Sequence, residues 1–310
     1  MTSEGTTDSL MLEDESLRDG LQIESRIFSL EEKLHIFNLL SAAGIRRVQV
    51  GSFVNPQILP QMADTDELIR RIGLRENTEV SALVLNDKGL DRALSCGVQH
   101  VNMSVSISDT HSRKNTGRSA SQSLRDMVTL IRRALAAGLR VRGGFQCVFG
   151  CDYEGAIAEE VVVSAVDQMA QSGVGEINLA DTTGMATPAA IQRLVLRFRK
   201  VLPQIKISLH LHDTRGLALA NLYSGYVAGV RSFDVCAGGL GGCPFVIGAA
   251  GNVSAEDAVN MFESMGIATG VDVEKLCAAV DFYEEKLGRQ LPGRMNRVLK
   301  HANEGCERFH

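Results

Sequence analysis

The sequence has no tryptophan and only 5% aromatic residues, too few to supply the stacking platforms on which proteins hold single-stranded nucleic acid. It has no block of one charge sign. The formal net charge of -5 is spread over acidic and basic residues alike, and without a concentrated basic patch nothing answers a phosphate backbone. No apolar run reaches the length needed to span a bilayer. The first ten residues are polar and mildly acidic; they lack the cationic and apolar regions of a secretory signal and the arginine-rich character of a mitochondrial presequence. The seven cysteines are odd in number and scattered without a paired framework, which suits free thiols in a reducing cytoplasm. Cys147 and Cys151, spaced C-x3-C, match no common zinc signature and read as structural. The expectation is a cytoplasmic protein with a small-molecule partner, no nucleic acid and no membrane.

What is present is a long, regular alternation. At 310 residues and 45% hydrophobic composition the chain can bury a large core. Strand-like runs recur at 10–15, 47–53, 79–85, 100–107, 140–149, 176–181, 206–212 and 232–237, most of them near-continuously apolar, as in parallel strands covered by helices. Helix patterns separate them, at 30–43, 64–71, 88–96, 121–137, 156–172, 188–201 and 217–228. Several stop at a glycine (Gly44, Gly138, Gly173, Gly229), and Thr187-Pro188 combines an N-cap with proline at the first helical position. Eight strand–helix units point to a TIM (β/α)8 barrel over residues 10–270, followed by a C-terminal helical extension and tail over 271–310. A doubly wound open sheet is the alternative, but it needs no eighth unit and binds phosphate after its first strand. No G-x-G-x-x-G opens the first helix; the glycine-rich Gly238–Gly242 falls after the eighth strand instead.

The candidate chemistry tracks the strand ends, where barrel enzymes carry their reactive side chains. Residues 205–212 read as a strand, so His210 and His212 project from one face and both imidazoles could reach one cation. Asn252 can add a carbonyl oxygen, and mixed nitrogen and oxygen donors fit Mg2+, Mn2+ or another borderline divalent ion better than thiolate-held zinc. Strand one leads into Arg18-Asp19-Gly20-Leu21-Gln22, strand two into Gly51-Ser52-Phe53, strand six into Asp181-Thr-Thr-Gly184, and strand eight into the glycine loop before Cys243-Pro244. Each has a plainer reading: histidines that satisfy their own hydrogen bonds, a surface Arg18–Asp19 ion pair, Asp181 as a turn cap, Cys243 as a small buried hydrophobe. The coincidence of so many polar residues with strand ends favours a site.

Leu17-Arg-Asp-Gly-Leu-Gln22, Gln61-Met-Ala-Asp64, His210-x-His-Asp-Thr214, Ala218-Leu-Ala-Asn221 and Gly239-Leu-Gly-Gly-Cys-Pro244 together resemble the 3-hydroxy-3-methylglutaryl-CoA lyases, within the superfamily of metal-dependent lyase and synthase barrels. The resemblance runs from about residue 12 to 291. It implies that Asp19, His210, His212 and Asn252 bind a divalent cation, Mg2+ or Mn2+. It implies an acyl-CoA thioester substrate contacted by Arg18, Gln22 and Ser52, with Arg18, Asp181, His210 and Cys243 in catalysis. It also implies a homodimer. The chain departs from the family pattern at Gln49, where those lyases carry Glu; at Ile23 and Ser25, in place of Asn and Lys; and at Arg215 and Leu217, in place of Tyr and Gln. Ile23 and Leu217 would favour a more apolar acyl substituent, whereas Arg215 could pair with an extra anionic group.

The expected reaction is cleavage of a 3-hydroxy-3-substituted acyl-CoA to acetyl-CoA and a keto acid such as acetoacetate. A paralogue of altered specificity and a non-catalytic relative that binds metal and acyl-CoA are the alternatives. A hydrolase barrel of the amidohydrolase type also uses H-x-H, but on strand one rather than strand seven.

Overall fold

The computed structural model describes residues 10–242 and 251–307. Its frame is eight strands: β1 (Met11–Asp14), β2 (Arg47–Ser52), β3 (Glu79–Leu83), β4 (His100–Ser106), β5 (Arg140–Gln146), β6 (Glu176–Asp181), β7 (Lys206–Leu211) and β8 (Ser232–Val235). Every neighbouring pair is parallel, and β8 returns to β1, closing a TIM barrel. The helices are α1 (Leu30–Ala42), α2 (Thr65–Ile72), α3 (Asp87–Cys96), α4 (Asp109–Thr116), α5 (Ala120–Ala136), α6 (Glu159–Ala170), α7 (Pro188–Val201), α8 (Ala218–Val227), α9 (Ala255–Ser264), α10 (Val273–Leu287) and α11 (Met295–Glu307). None is long and apolar enough to cross a membrane.

The strands alternate, and the alternation divides the barrel. Outward positions such as Val48, Val50, Val101, Ile177, Leu209 and Phe233 are buried under the helices. Inward positions are polar: Glu13 reaches Arg47 at 2.6 Å and Arg142 at 2.9 Å, and Arg142 reaches Asp234 at 2.6 Å. The near-continuous apolar reading of the strands therefore describes their outer face; the interior is a linked ionic layer. Glu13, Arg142 and Asp234 are each almost wholly buried. Charges there are tolerable because each cation meets two or more carboxylates.

Two local features aim residues at the C-terminal mouth. After β1 the chain forms a π-helical turn, Ser16–Gly20, in which the amides of Arg18, Asp19 and Gly20 all donate to the Glu15 carbonyl. The wide turn turns Arg18 and Asp19 inward together, a common use of π geometry. In β2 the register against β3 slips between Gln49 and Ser52, three residues opposing two. The bulge lets residues three apart face the same way, so Gln49 and Ser52 both line the interior. Gly51 between them has no room for a side chain: a Cβ would lie 2.4 Å from Thr65 Oγ1 at the start of α2.

β5 ends three residues before the expected limit, because Cys147 takes a left-handed conformation (φ 59°) and turns the chain. Helices α4 and α9 had no counterpart in the sequence reading. Thr187 caps α7 as expected, accepting from the Ala190 amide. From the C-terminal helices, α10 lies along α1 and buries Tyr283, while Leu291 packs against Gly238.

Candidate active site

At the C-terminal mouth lies a cavity of about 370 Å³. Arg18, Asp19, Gln22, Ser52, His210 and His212, six of the residues singled out from sequence, line it together. Asn252 donates from its carboxamide to Asp19 Oδ2 at 2.8 Å and to the Leu240 carbonyl at 3.1 Å. Its side chain is pressed from behind by the glycine loop: at Gly241 (φ 105°) a Cβ would lie 2.6 Å from Asn252 Nδ2. Cys243 lies outside the described residues.

His210 and His212 face each other, Nε2 to Nε2, at 3.1 Å. Asp19 Oδ2 stands 3.9 Å from His212 Nε2, and ligand atoms of Asp19, His210 and His212 all fall within 4.8 Å of one another. His210 Nδ1 faces Asp234 Oδ2 at 3.3 Å. A carboxylate there calls for the ring proton on Nδ1, which leaves the Nε2 lone pair turned toward His212. Two lone-pair nitrogens with an ionised carboxylate beside them fit a divalent cation. Burial works against a charge on His210, but Asp234, Glu15 and Asp19 outweigh it and raise its pKa, so a cation competes with a proton there; the shifts of Asp19 and His212 favour the cation. Burial works against the Asp19 charge, but Arg18 and the two histidines hold its carboxyl at about 2. Burial, with His210 alongside, lowers His212 to about 4.

Arg18 is the organising cation. Its guanidinium donates to Glu15, Asp19 and the Gln49 carbonyl oxygen. The Arg18–Asp19 pair foreseen from sequence forms, and it is buried rather than on the surface, with side-chain exposures of 13% and 11%. Gln49 turns its amide nitrogen to Glu15 Oε1 at 2.9 Å, so it accepts from Arg18 and donates to Glu15 at once. Burial pushes Glu15 up to about 8, against the pull of Arg18. Gln49 is the one departure from the family pattern that lines the cavity. Ile23, Ser25 and Arg215 are exposed and Leu217 half-buried, outside the lining.

Ser52 Oγ is buried at the wall and has no partner among the described residues, a hydroxyl open to a ligand. Asp181 combines both of its sequence readings. Oδ1 accepts from the Ala186 amide at 3.0 Å, a cap, while Oδ2 is buried without a partner among the described residues, and Asp181 itself is not among the lining side chains. Burial raises its carboxyl to about 6, with backbone amides and His210 opposing. Its neighbours Ala180 and Thr182 line the cavity.

Sequence reasoning gave no role to Glu15 and missed Asn102, Arg142, Asn178, Asp234 and His111 of α4, all of which line the cavity. The signal was available for the strand residues. Charged and amide side chains two apart, as in Glu13 and Glu15, interrupt otherwise apolar strands and mark the inward face.

The HMGL-like family model matches residues 9–282. The hydroxymethylglutaryl-CoA lyase of Bacillus subtilis is 38% identical over 283 residues, 91% of this chain and 95% of that protein. The (R)-citramalyl-CoA lyase of Chloroflexus aurantiacus is 35% identical, covering 94% and 95%. Among solved structures, an HMG-CoA lyase from Acinetobacter baumannii in complex with coenzyme A and 3-methylmalate superposes with a TM-score of 0.89 at 35% identity, covering 96% of both chains. A barrel that superposes on the solved lyase and similarity over nearly the full length lead to one conclusion: this chain is an enzyme of the HMGL-like family, the barrel lyases related to hydroxymethylglutaryl-CoA lyase.

Proposed function

We propose that the protein is a divalent-cation-dependent carbon–carbon lyase that splits a 3-hydroxy-3-substituted acyl-CoA, hydroxymethylglutaryl-CoA or a close analogue such as citramalyl-CoA, into acetyl-CoA and a keto acid. The single observation that carries the reading is the convergence of Asp19, His210 and His212 on one point of the cavity beside Arg18. Asp19, His210, His212 and the Asn252 carbonyl oxygen would hold Mg2+ or Mn2+. When bound, the cation acts as a Lewis acid and template for the substrate's hydroxyl and carboxylate oxygens.

The remaining work falls to side chains. Cleavage begins with removal of the tertiary hydroxyl proton. His210, which lines the cavity, and Asp181, which sits between Ala180 and Thr182 of the lining and carries an Oδ2 without a partner among the described residues, are the two candidate bases. His210 has both ring nitrogens engaged. As the C2–C3 bond breaks, its electron pair becomes the thioester enolate and the hydroxyl carbon becomes the keto group. Arg18 supplies fixed positive charge for the developing oxyanion. Gln22 and Ser52 offer hydrogen bonds to substrate oxygens. Cys243 follows Gly242, which lines the cavity, and its thiol returns a proton to the enolate carbon.

The test is incubation with Mg2+ or Mn2+ and a panel of 3-hydroxy-3-substituted acyl-CoA thioesters, with acetyl-CoA release as readout. Release from at least one member is expected. A protein that binds cation and thioester yet releases nothing from any member would be a binding relative instead, the outcome that Gln49 and Ser25 leave open.

A further inference from the structure

Asp234 is a buried carboxylate of β8 that the reaction outlined above leaves without a task, yet both of its oxygens are held by neighbouring side chains. Its Oδ1 accepts from Arg142 Nη1 at 2.6 Å; its Oδ2 accepts from Arg142 Nη2 at 3.2 Å and Asn178 Nδ2 at 3.0 Å. Arg142 is pinned in turn, by Asn102 Oδ1 at 3.0 Å, Glu13 Oε2 at 2.9 Å and Glu15 Oε1 at 3.0 Å. The carboxylate is thus fixed by side chains from β1, β4, β5 and β6, and it also faces His210 Nδ1 at 3.3 Å.

We propose that Asp234 is a positioning residue for the cation site: it fixes the His210 ring with its proton on Nδ1 and its Nε2 lone pair aimed at the cation. The inference rests on the reading of Asp19, His210, His212 and Asn252 as cation ligands. A neutral imidazole carries one ring proton, and the acceptor at one nitrogen decides which nitrogen carries it. Glu15 Oε2 also lies near Nδ1, at 3.5 Å, but that carboxylate is engaged by Arg18, Gln49 and Arg142. Asp234 is the closer acceptor, and Arg142 and Asn178 leave it no freedom to turn away. A carboxylate behind a ligating histidine raises ligand basicity and fixes ring orientation, and loss of such a partner lowers metal affinity on the order of 10–100-fold.

The alternative is that Asp234 only neutralises Arg142. Glu13 separates the two, because it pairs with the same guanidinium and does not touch His210. The experiment measures Mn2+ binding by electron paramagnetic resonance in the parent, Asp234→Asn and Glu13→Gln. In Asp234→Asn an amide N–H facing Nδ1 would drive the ring proton onto Nε2, so affinity should fall on the order of 10–100-fold while Glu13→Gln stays near the parent. Unchanged affinity in Asp234→Asn, or an equal loss in Glu13→Gln, overturns the role of Asp234 and leaves the cation site standing. A parent that binds no Mn2+ overturns both. Should the variants not fold, nitrogen-15 spectra of the parent imidazoles with Mg2+ bound decide the matter: a protonated His210 Nδ1 is expected, and a bare Nδ1 refutes the assignment.

Discussion

Asp181→Asn should make the protein more stable and nearly inactive. The unfolded chain releases this proton near 3.8 and the folded protein at about 6, because burial penalises the charge. Below 3.8 the group is protonated in both states and costs nothing. As pH rises through 6 the folded state gives up a proton it held more tightly, and stability is lost. Above 6 the deficit is constant, about 3 kcal/mol for a difference between 3.8 and about 6. Asparagine removes that deficit and keeps the Oδ1 bond to the Ala186 amide. It leaves an amide nitrogen unpaired where Oδ2 now stands alone, costing about 1–3 kcal/mol. The net expectation without metal is a gain of about 0–2 kcal/mol at pH 7.5 that shrinks and reverses toward pH 4. Urea unfolding in EDTA across that range measures it, and thioester cleavage should fall by about 10²–10⁴-fold if the carboxylate is the base. A variant less stable at pH 7.5, with no pH dependence in the difference, would show that the buried charge carries no such penalty. Full turnover would reduce Asp181 to a cap.

Three further outcomes follow from the same geometry. Asp19→Ala removes the carboxylate beside His212 Nε2 and should lower Mn2+ affinity by about 100-fold or more with the circular dichroism spectrum unchanged. Gly241→Ala puts a methyl 2.6 Å from Asn252 Nδ2 on a left-handed residue; displacement of Asn252 should weaken Mn2+ binding measurably by calorimetry, whereas a loop that does not seat Asn252 would tolerate it. Arg18→Lys keeps the charge but loses the fork shared by Glu15, Asp19 and Gln49, so kcat should fall by about 10²-fold or more while Mn2+ still binds.

The barrel and the meeting of Asp19, His210 and His212 were legible because each rests on a local pattern. Strand bounds were within a few residues, and His210 and His212 share a face by the period of a strand alone. What escaped depends on longer-range geometry. The helix α4, with three consecutive polar or charged residues in Ser112-Arg-Lys114, has little apolar periodicity, yet it delivers His111 to the cavity. The inward turn of Arg18 comes from a π-helical turn with no sequence signature. Gln49 and Ser52, three apart, share a face only through a bulge. Asp234 looked like one polar residue in an apolar strand; its significance lies in Arg142, 92 positions away.

The most direct measurement is anomalous X-ray scattering from crystals soaked in Mn2+. The account predicts one peak at the barrel mouth, within about 2.0–2.3 Å of ligand atoms from Asp19, His210, His212 and Asn252. A fully occupied ion elsewhere, or none at millimolar Mn2+ with these four side chains ordered, would contradict it.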